Sequence, residues 1–396
     1  MSSRLAAVLA ALLLTGGLVA CGPEEDRAAA PAGAETSSSP ADHHAAAPAA
    51  SKPRRPLRAG ERMLDLEMPE AYTPSAPTPG GTDDYRCFLL DPGLDQETYV
   101  TGVDVRPGNP EVVHHVILYS VPPDHLAEAE DQDAVSSGQG WTCFGGTGMG
   151  GGSTGLDDAP WLGAWAPGGR ESVMRPGYGT RLAKGSRIVM QVHYNLLVGD
   201  GPDVSAARLR VADRAPDGSA ITPVTTMLLP APVELPCRPG HDQNELCDRD
   251  KAVDDVEQRF GSAGGTADLL HLLCGTPIKP SQVTTCDRPV RRATTVLGAA
   301  GHMHLLGRSI RIEVNPGRPD ARTLLRMPVW DFDNQQARPV EPLRLEPGDE
   351  VRVTCRHDQG LRDVLPAFDG LPVRYVVWGE GTADEMCLGI LQVTAS

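Results

Sequence analysis

Short apolar runs, each closed by turn residues, recur from about residue 63 to the C-terminus, and they set the fold class. "ETYVTGVDVRP", "EVVHHVILYSV" and "SRIVMQVHYNLLV" come first; "AARLRVAD", "TTVLGAAGHMHLLGRSIRIEV", "DEVRVTCRHD" and "EMCLGILQVTA" follow. Runs of this length, rich in Val, Ile, Thr and Tyr, are strand signals. The 396 residues include 43 Gly and 36 Pro, and one stretch, "KAVDDVEQRFGSAGGTADLLHLL", reads as helical. The expectation is an all-β chain of more than one domain. The turn-rich "GDGPDVSA" (residues 199–206) marks the candidate boundary between an N-terminal unit, 63–200, and a C-terminal unit, 201–396. Within the second, residues 235–290 carry four cysteines and the helical stretch, and read as a disulfide-clamped insertion.

The N-terminus reads as an export signal over residues 1–21. Arg4 precedes the apolar run "LAAVLAALLLTGGLVA", which is short for a membrane span and ends in small residues. "LVAC" resembles the bacterial lipobox, which makes Cys21 the expected lipidation site and the membrane the expected anchor. Gly22 follows, so the outer membrane is the expected address where the host has one. Residues 22–62 are dominated by Ala, Pro, Ser and charge, and read as a disordered tether. His43 and His44 fall inside it, with no apolar strand to fix a geometry.

A formal net charge of −16 argues against nucleic acid, whose phosphates call for a basic surface. Setting Cys21 aside leaves eight cysteines, an even number with no CxxC pair. In an exported chain they read as disulfides rather than a zinc–thiolate site. Cys237, Cys247, Cys274 and Cys286, the four of the insertion, would have three possible pairings if they bridge among themselves.

The histidines carry the chemistry. In a strand, residues i and i+2 share a face, so His302 and His304 of "GHMHLLG" would present two imidazoles side by side. His114 and His115 lie inside "EVVHHVILYS", and His193 inside "MQVHYN". Adjacent strand residues face opposite ways, so the doublet can serve one metal only at a twisted or bulged position, or through different ring nitrogens. Met386, beside Cys387, would offer a soft thioether suited to copper.

"VVHHVILY", "QVHYN", "GHMHLLGR" and "GTADEMC", in this order, resemble the motifs of the type II, ascorbate-dependent copper monooxygenases, the family of dopamine β-monooxygenase and peptidylglycine α-hydroxylating monooxygenase. "VWDFDNQQARPV" and "EPGDEVRVTC" are similar to the stretch between the last two motifs. The resemblance covers about residues 84–200 and 290–396. It implies two antiparallel, jelly-roll-like β-sandwiches, each with one mononuclear copper. His114, His115 and His193 would hold the electron-transfer copper; His302, His304 and Met386 would hold the catalytic copper that binds O2. The implied reaction hydroxylates an activated sp3 C–H of a small organic substrate, with ascorbate or another one-electron donor as reductant. The implied sites face each other across an open cleft. The resemblance also implies the pairs Cys87–Cys143 and Cys355–Cys387, leaving His357, His241, His271 and His125 without counterparts and expected in solvent. Two departures stand out. The family's peptide-binding arginine is Ala300 here, and its polar residues after the methionine are Leu388 and Ile390. C-terminal peptide amidation is therefore not expected. The competing reading is a copper-binding envelope lipoprotein without catalytic activity.

Overall fold

The computed structural model describes residues 55–78, 81–136, 138–149, 161–197, 199–241, 243–261 and 265–394. Cys21 and residues 1–54 lie outside the described residues. Among those described, no helix is long and apolar enough to cross a membrane.

Among the described residues, ten strands build the first half: β1 (Arg62–Glu67), β2 (Asp83–Leu90), β3 (Thr98–Arg106), β4 (Val113–Val121), β5 (Trp141–Thr142), β6 (Trp161–Trp165), β7 (Ser172–Val173), β8 (Tyr178–Leu182), β9 (Arg187–Asn195) and β10 (Ala206–Ala212). Ten more build the second: β11 (Thr222–Pro230), β12 (Glu234–Leu235), β13 (Val283–Pro289), β14 (Thr294–His302), β15 (Gly307–Val314), β16 (Arg322–Met327), β17 (Arg338–Leu345), β18 (Glu350–His357), β19 (Val376–Val377) and β20 (Leu388–Thr394). The helices are short: α1 (Leu126–Ala134), α2 (Arg249–Phe260) and α3 (Thr266–Cys274).

The fold is all-β, built of mostly antiparallel sheets. A five-stranded sheet, β5-β2-β9-β4-β6, faces β1, β10, β3 and β8 across a core that includes Phe88, Val103, Val116, Leu118, Met190 and Leu209. A four-stranded sheet, β13-β18-β15-β16, faces β11, β20, β14 and β17 across a second core that includes Leu229, Val296, Ile310, Ile312, Val353 and Leu391. Alternation produces these layers. In β15, Ile310, Ile312 and Val314 point inward while Arg308 and Arg311 face out. β9, between β2 and β4, is buried on both faces from Ile188 to Tyr194.

One layer is common to both halves. β8 and β11 pair in parallel through Thr222–Tyr178 and Pro223–Gly179, which joins the two halves into a nine-stranded sheet. Ala207, Leu209 and Val211 of β10 belong to the first core, so the cores change after Val211 and not at residue 200. The turn at 199–206 carries the chain from β9 in one sheet to β10 in the facing sheet, where β10 pairs with both β1 and β3. The expected tether is also shorter. Arg210, buried between Glu61 and Glu171, donates hydrogen bonds to the carbonyls of Arg55 and Pro56, and β1 adds to the sheet edge from Arg62.

Four disulfides are formed: Cys87–Cys143, Cys237–Cys247, Cys274–Cys286 and Cys355–Cys387. They mark a chain that folds in an oxidising environment outside the cytoplasm. The sequential pairs Cys237–Cys247 and Cys274–Cys286 bracket the insertion, whose α2 and α3 bury Val256, Phe260 and Leu270 with Tyr375, Trp378 and Met386.

Candidate metal centre

The histidine doublet works because β4 is bulged. In the pairing of β4 with β9, Val113 faces Tyr194 and His115 faces His193, so His114 is an extra residue with no partner across the ladder. The bulge turns both rings toward His193. Ligand atoms of His114, His115 and His193 all lie within 4.8 Å of one another. His193 Nδ1 is 3.3 Å from His114 Nδ1 and 3.4 Å from His115 Nδ1.

Proton accounting shows what this arrangement lacks. His193 Nε2 is 2.8 Å from the buried carboxylate of Asp83, an acceptor, so in the neutral ring the proton sits on Nε2 and a lone pair on Nδ1. That one lone pair faces the Nδ1 atoms of two further rings, and only one ring N–H can use it well. His114 Nε2 is buried without a partner in either tautomer. A cation among the three Nδ1 atoms would use all three lone pairs, and the His193–Asp83 pair is the carboxylate–histidine arrangement that orients a metal ligand. Tyr85 stacks on His193 at 4.0 Å and Phe332 on His114 at 4.3 Å, which fixes both ring planes.

The second pair presents the other ring nitrogen. β14 ends at His302, and His304 lies just beyond it, with Met303 buried in the core between them. Gln335 donates its amide N–H to the Phe332 carbonyl, which leaves its Oε1 to accept from His302 Nδ1 at 2.6 Å. His304 Nδ1 faces the Asp384 carbonyl at 3.3 Å. Both rings are thereby set with the proton on Nδ1 and a lone pair on Nε2, and His304 Nε2 is buried with no partner. Glu385 clamps the backbone around them, accepting from His304 N at 3.0 Å and from Leu306 N.

Burial lowers four of these imidazoles, those of His114, His115, His302 and His304, below the usual histidine range. His114 and His115 are held well below the usual histidine range by burial first and His193 second. His302 is pushed down to about 3 by burial and by His304. His304 is lowered by burial, against the pull of Glu385. Neutral imidazole is the metal-binding form.

The two histidine sets are neighbours. The ring centroids of His115 and His302 lie 5.6 Å apart, and those of His302 and His304 5.1 Å apart. Among the described residues no open cleft separates them, contrary to expectation, because two segments of the second half close over the first. Residues 328–337 lay Phe332 on His114 and hydrogen-bond Gln336 to the Gly168 carbonyl. Residues 380–386 grip β2: Tyr85 OH donates to the Glu380 carbonyl at 2.8 Å, and Thr382 N donates to Asp83 Oδ1 at 3.0 Å. Arg259 of α2 holds Asp384 with two hydrogen bonds of 2.8 and 2.7 Å, so the insertion braces the same segment. Asp384 in turn packs where side chains on Gly379 and Gly381 would stand, 2.9 Å from an added Cβ at each.

Met386 is buried and belongs to the apolar cluster that includes Val256, Phe260, Trp378 and Leu388, with Phe144, Trp161 and Ile390 at its margin. Two histidines expected in solvent are buried instead. His357 Nε2 donates to the Met386 carbonyl at 3.1 Å, and His271 lies between Glu234, 2.9 Å from its Nε2, and Thr276. Both sit under packed loops, which replace water with fixed partners. His125 and His241 are exposed. Asp83, Gln335, Phe332 and Glu385 were not among the expected site residues. The available signal was an acidic or amide side chain beside a buried strand or motif, in "DDYRC", "DFDNQQ" and "ADEMC".

No family model matches the chain, and no curated protein matches it. Solved structures give only faint likenesses. The major capsid protein of bacteriophage PM2 is 11% identical, with a TM-score of 0.29 over 85% of this chain and 98% of that one. An allantoicase is 11% identical, with a TM-score of 0.18 over 81% of this chain and 90% of its own. Procruciferin from Brassica napus is 11% identical, with a TM-score of 0.16 over 80% and 78%. Scores this low carry no argument about function.

Proposed function

We propose that this chain is a copper-dependent monooxygenase that hydroxylates an activated sp3 C–H of a small organic substrate, drawing electrons from ascorbate or another one-electron donor. The observation that carries the reading is the convergence of three Nδ1 atoms, from His114, His115 and His193, beside two rings, His302 and His304, that present Nε2. Converging imidazoles, two of them with a buried unsatisfied nitrogen, fit a metal, and three of them suit copper or zinc. The choice of copper rests on Met386 and on the four motifs. Copper, when bound, would supply one-electron redox chemistry and a place for O2. The protein's own part is to hold the ring tautomers through Asp83, Gln335 and the Asp384 carbonyl, and to exclude water. The apolar group around Met386 supports a substrate of low polarity. The proposal includes a lipid anchor at Cys21, in the outer membrane of the cell envelope where the host has one.

The test is anaerobic copper titration with ascorbate, followed by O2 uptake against benzylic amines and related compounds. Two copper ions per chain are expected, and His302→Ala should leave one. A wild-type stoichiometry of one, or loss of both in that variant, would refute two separate ligand sets. Two copper ions without substrate-dependent O2 uptake would support the lipoprotein without catalytic activity.

A further inference from the structure

Asp83 serves two elements with one oxygen. Its Oδ1 accepts from His193 Nε2 at 2.8 Å, from Thr382 N at 3.0 Å and from Thr382 Oγ1 at 2.5 Å, while Oδ2 accepts from Thr82 Oγ1 at 2.6 Å. Asp83 and Thr382 are both buried. Thr382 begins the turn that continues through Asp384, whose carbonyl fixes the His304 tautomer, and Glu385, which clamps the His304 backbone. A buried carboxylate oxygen with three donors has a narrow range of allowed positions, because every donor it loses is left unpaired in a dry setting.

We infer that Asp83 is a positioning residue that couples the three-histidine set to the 380–386 segment, so that metal held by His193 orders the surroundings of His304 from across the interface. The inference rests on the metal reading of His114, His115 and His193. The physical route is short. A cation at Nδ1 draws electron density from the imidazole and makes Nε2–H a stronger donor to Asp83. The His193–Asp83 bond is then stronger, and Asp83 is held more firmly in place for Thr382. Without the cation, the His193 ring is held on its Nδ1 side only by other imidazoles.

The experiment is amide hydrogen exchange of the full chain, read for residues 380–386 with and without one equivalent of Zn(II), which does not turn over. Wild type should bind Zn(II) and slow exchange at Thr382, Glu385 and Met386 by about tenfold or more. Asp83→Asn should weaken Zn(II) binding about 10- to 100-fold, the usual effect of removing such a partner, and abolish the slowing. Thr382→Val keeps the volume and removes the hydroxyl donor to Asp83, leaving the His193–Asp83 contact and the Thr382 N–H bond in place. It should still bind Zn(II) yet lose most of the slowing, and Thr382→Ser should restore it. Zn(II) binding in wild type with unchanged exchange at 380–386, or undiminished slowing in Thr382→Val, would overturn the coupling alone. A wild type that binds no Zn(II) through His114, His115 and His193 would overturn the metal reading and the coupling together.

Discussion

Glu385→Gln isolates the clamp around His304 at almost constant volume. The native carboxylate is fully buried and accepts on both oxygens: Oε2 takes His304 N at 3.0 Å and Met386 N at 3.3 Å, and Oε1 takes Leu306 N. Glutamine has one carbonyl oxygen and an NH2 that only donates. The better orientation puts oxygen toward His304 and Met386, leaving the NH2 against the Leu306 N–H. One backbone donor and one amide donor are then buried unpaired, at roughly 1–3 kcal/mol each. The remaining bonds lose their charge assistance. The expected loss is about 2–5 kcal/mol, read as a lower guanidinium midpoint at unchanged slope for the metal-free protein. The first histidine set should keep its metal, since Glu385 makes none of its hydrogen bonds, while the His302–His304 pair should lose affinity. A midpoint within about 0.5 kcal/mol of wild type, the range of an ordinary surface change, would refute the clamp.

Met386→Ile, similar in volume, should retain the fold and most of the copper but lose ascorbate-driven O2 uptake; full activity would make Met386 a core residue only. Stability of the metal-free chain should fall on acidification. His114, His115, His302 and His304 protonate less readily folded than unfolded, so their contribution is complete above about pH 6.5 and declines below it. With its folded value at about 3, His302 alone should account for about 2 kcal/mol between pH 6.5 and 5, at roughly 1.4 kcal/mol per unit. Denaturation midpoints of wild type and His302→Gln across that range should differ in slope by about one proton. Equal slopes would contradict the lowered protonation of the half-buried His302.

The strands were legible because their signal is local. Alternation in "GRSIRIEV" and the unbroken apolar run around His193 specify a strand buried on one face and a strand buried on both, without knowledge of their partners. The helical stretch was legible for the same reason, and so was the need for a bulge at the doublet, since adjacent strand residues diverge. What the sequence hid is pairing. Nothing in "AARLRVAD" says that it returns to β1 and β3, and nothing in "GTADEMC" says that Thr382 reaches Asp83, 299 positions away. The closeness of the two histidine sets belongs to the same class, because it depends on Phe332 and Thr382 crossing to the other half. His357 and His271 were misjudged because burial beneath a loop leaves no periodic trace.

The extra residue in β4 has an evolutionary corollary. Losing codon 114 would close the bulge and give β4 an even ladder with β9. His115 would still stand opposite His193, and the strand would be more regular than before. Selection for folding alone would tolerate or favour that shorter strand. Selection for three converging rings would reject it, although the deletion removes nothing from either core. In any lineage that uses this site, the number of residues between Val113 and His115 should therefore be held as firmly as their identity. In-frame length variants at this codon would be the earliest mark of a lineage that has abandoned the site while keeping the fold.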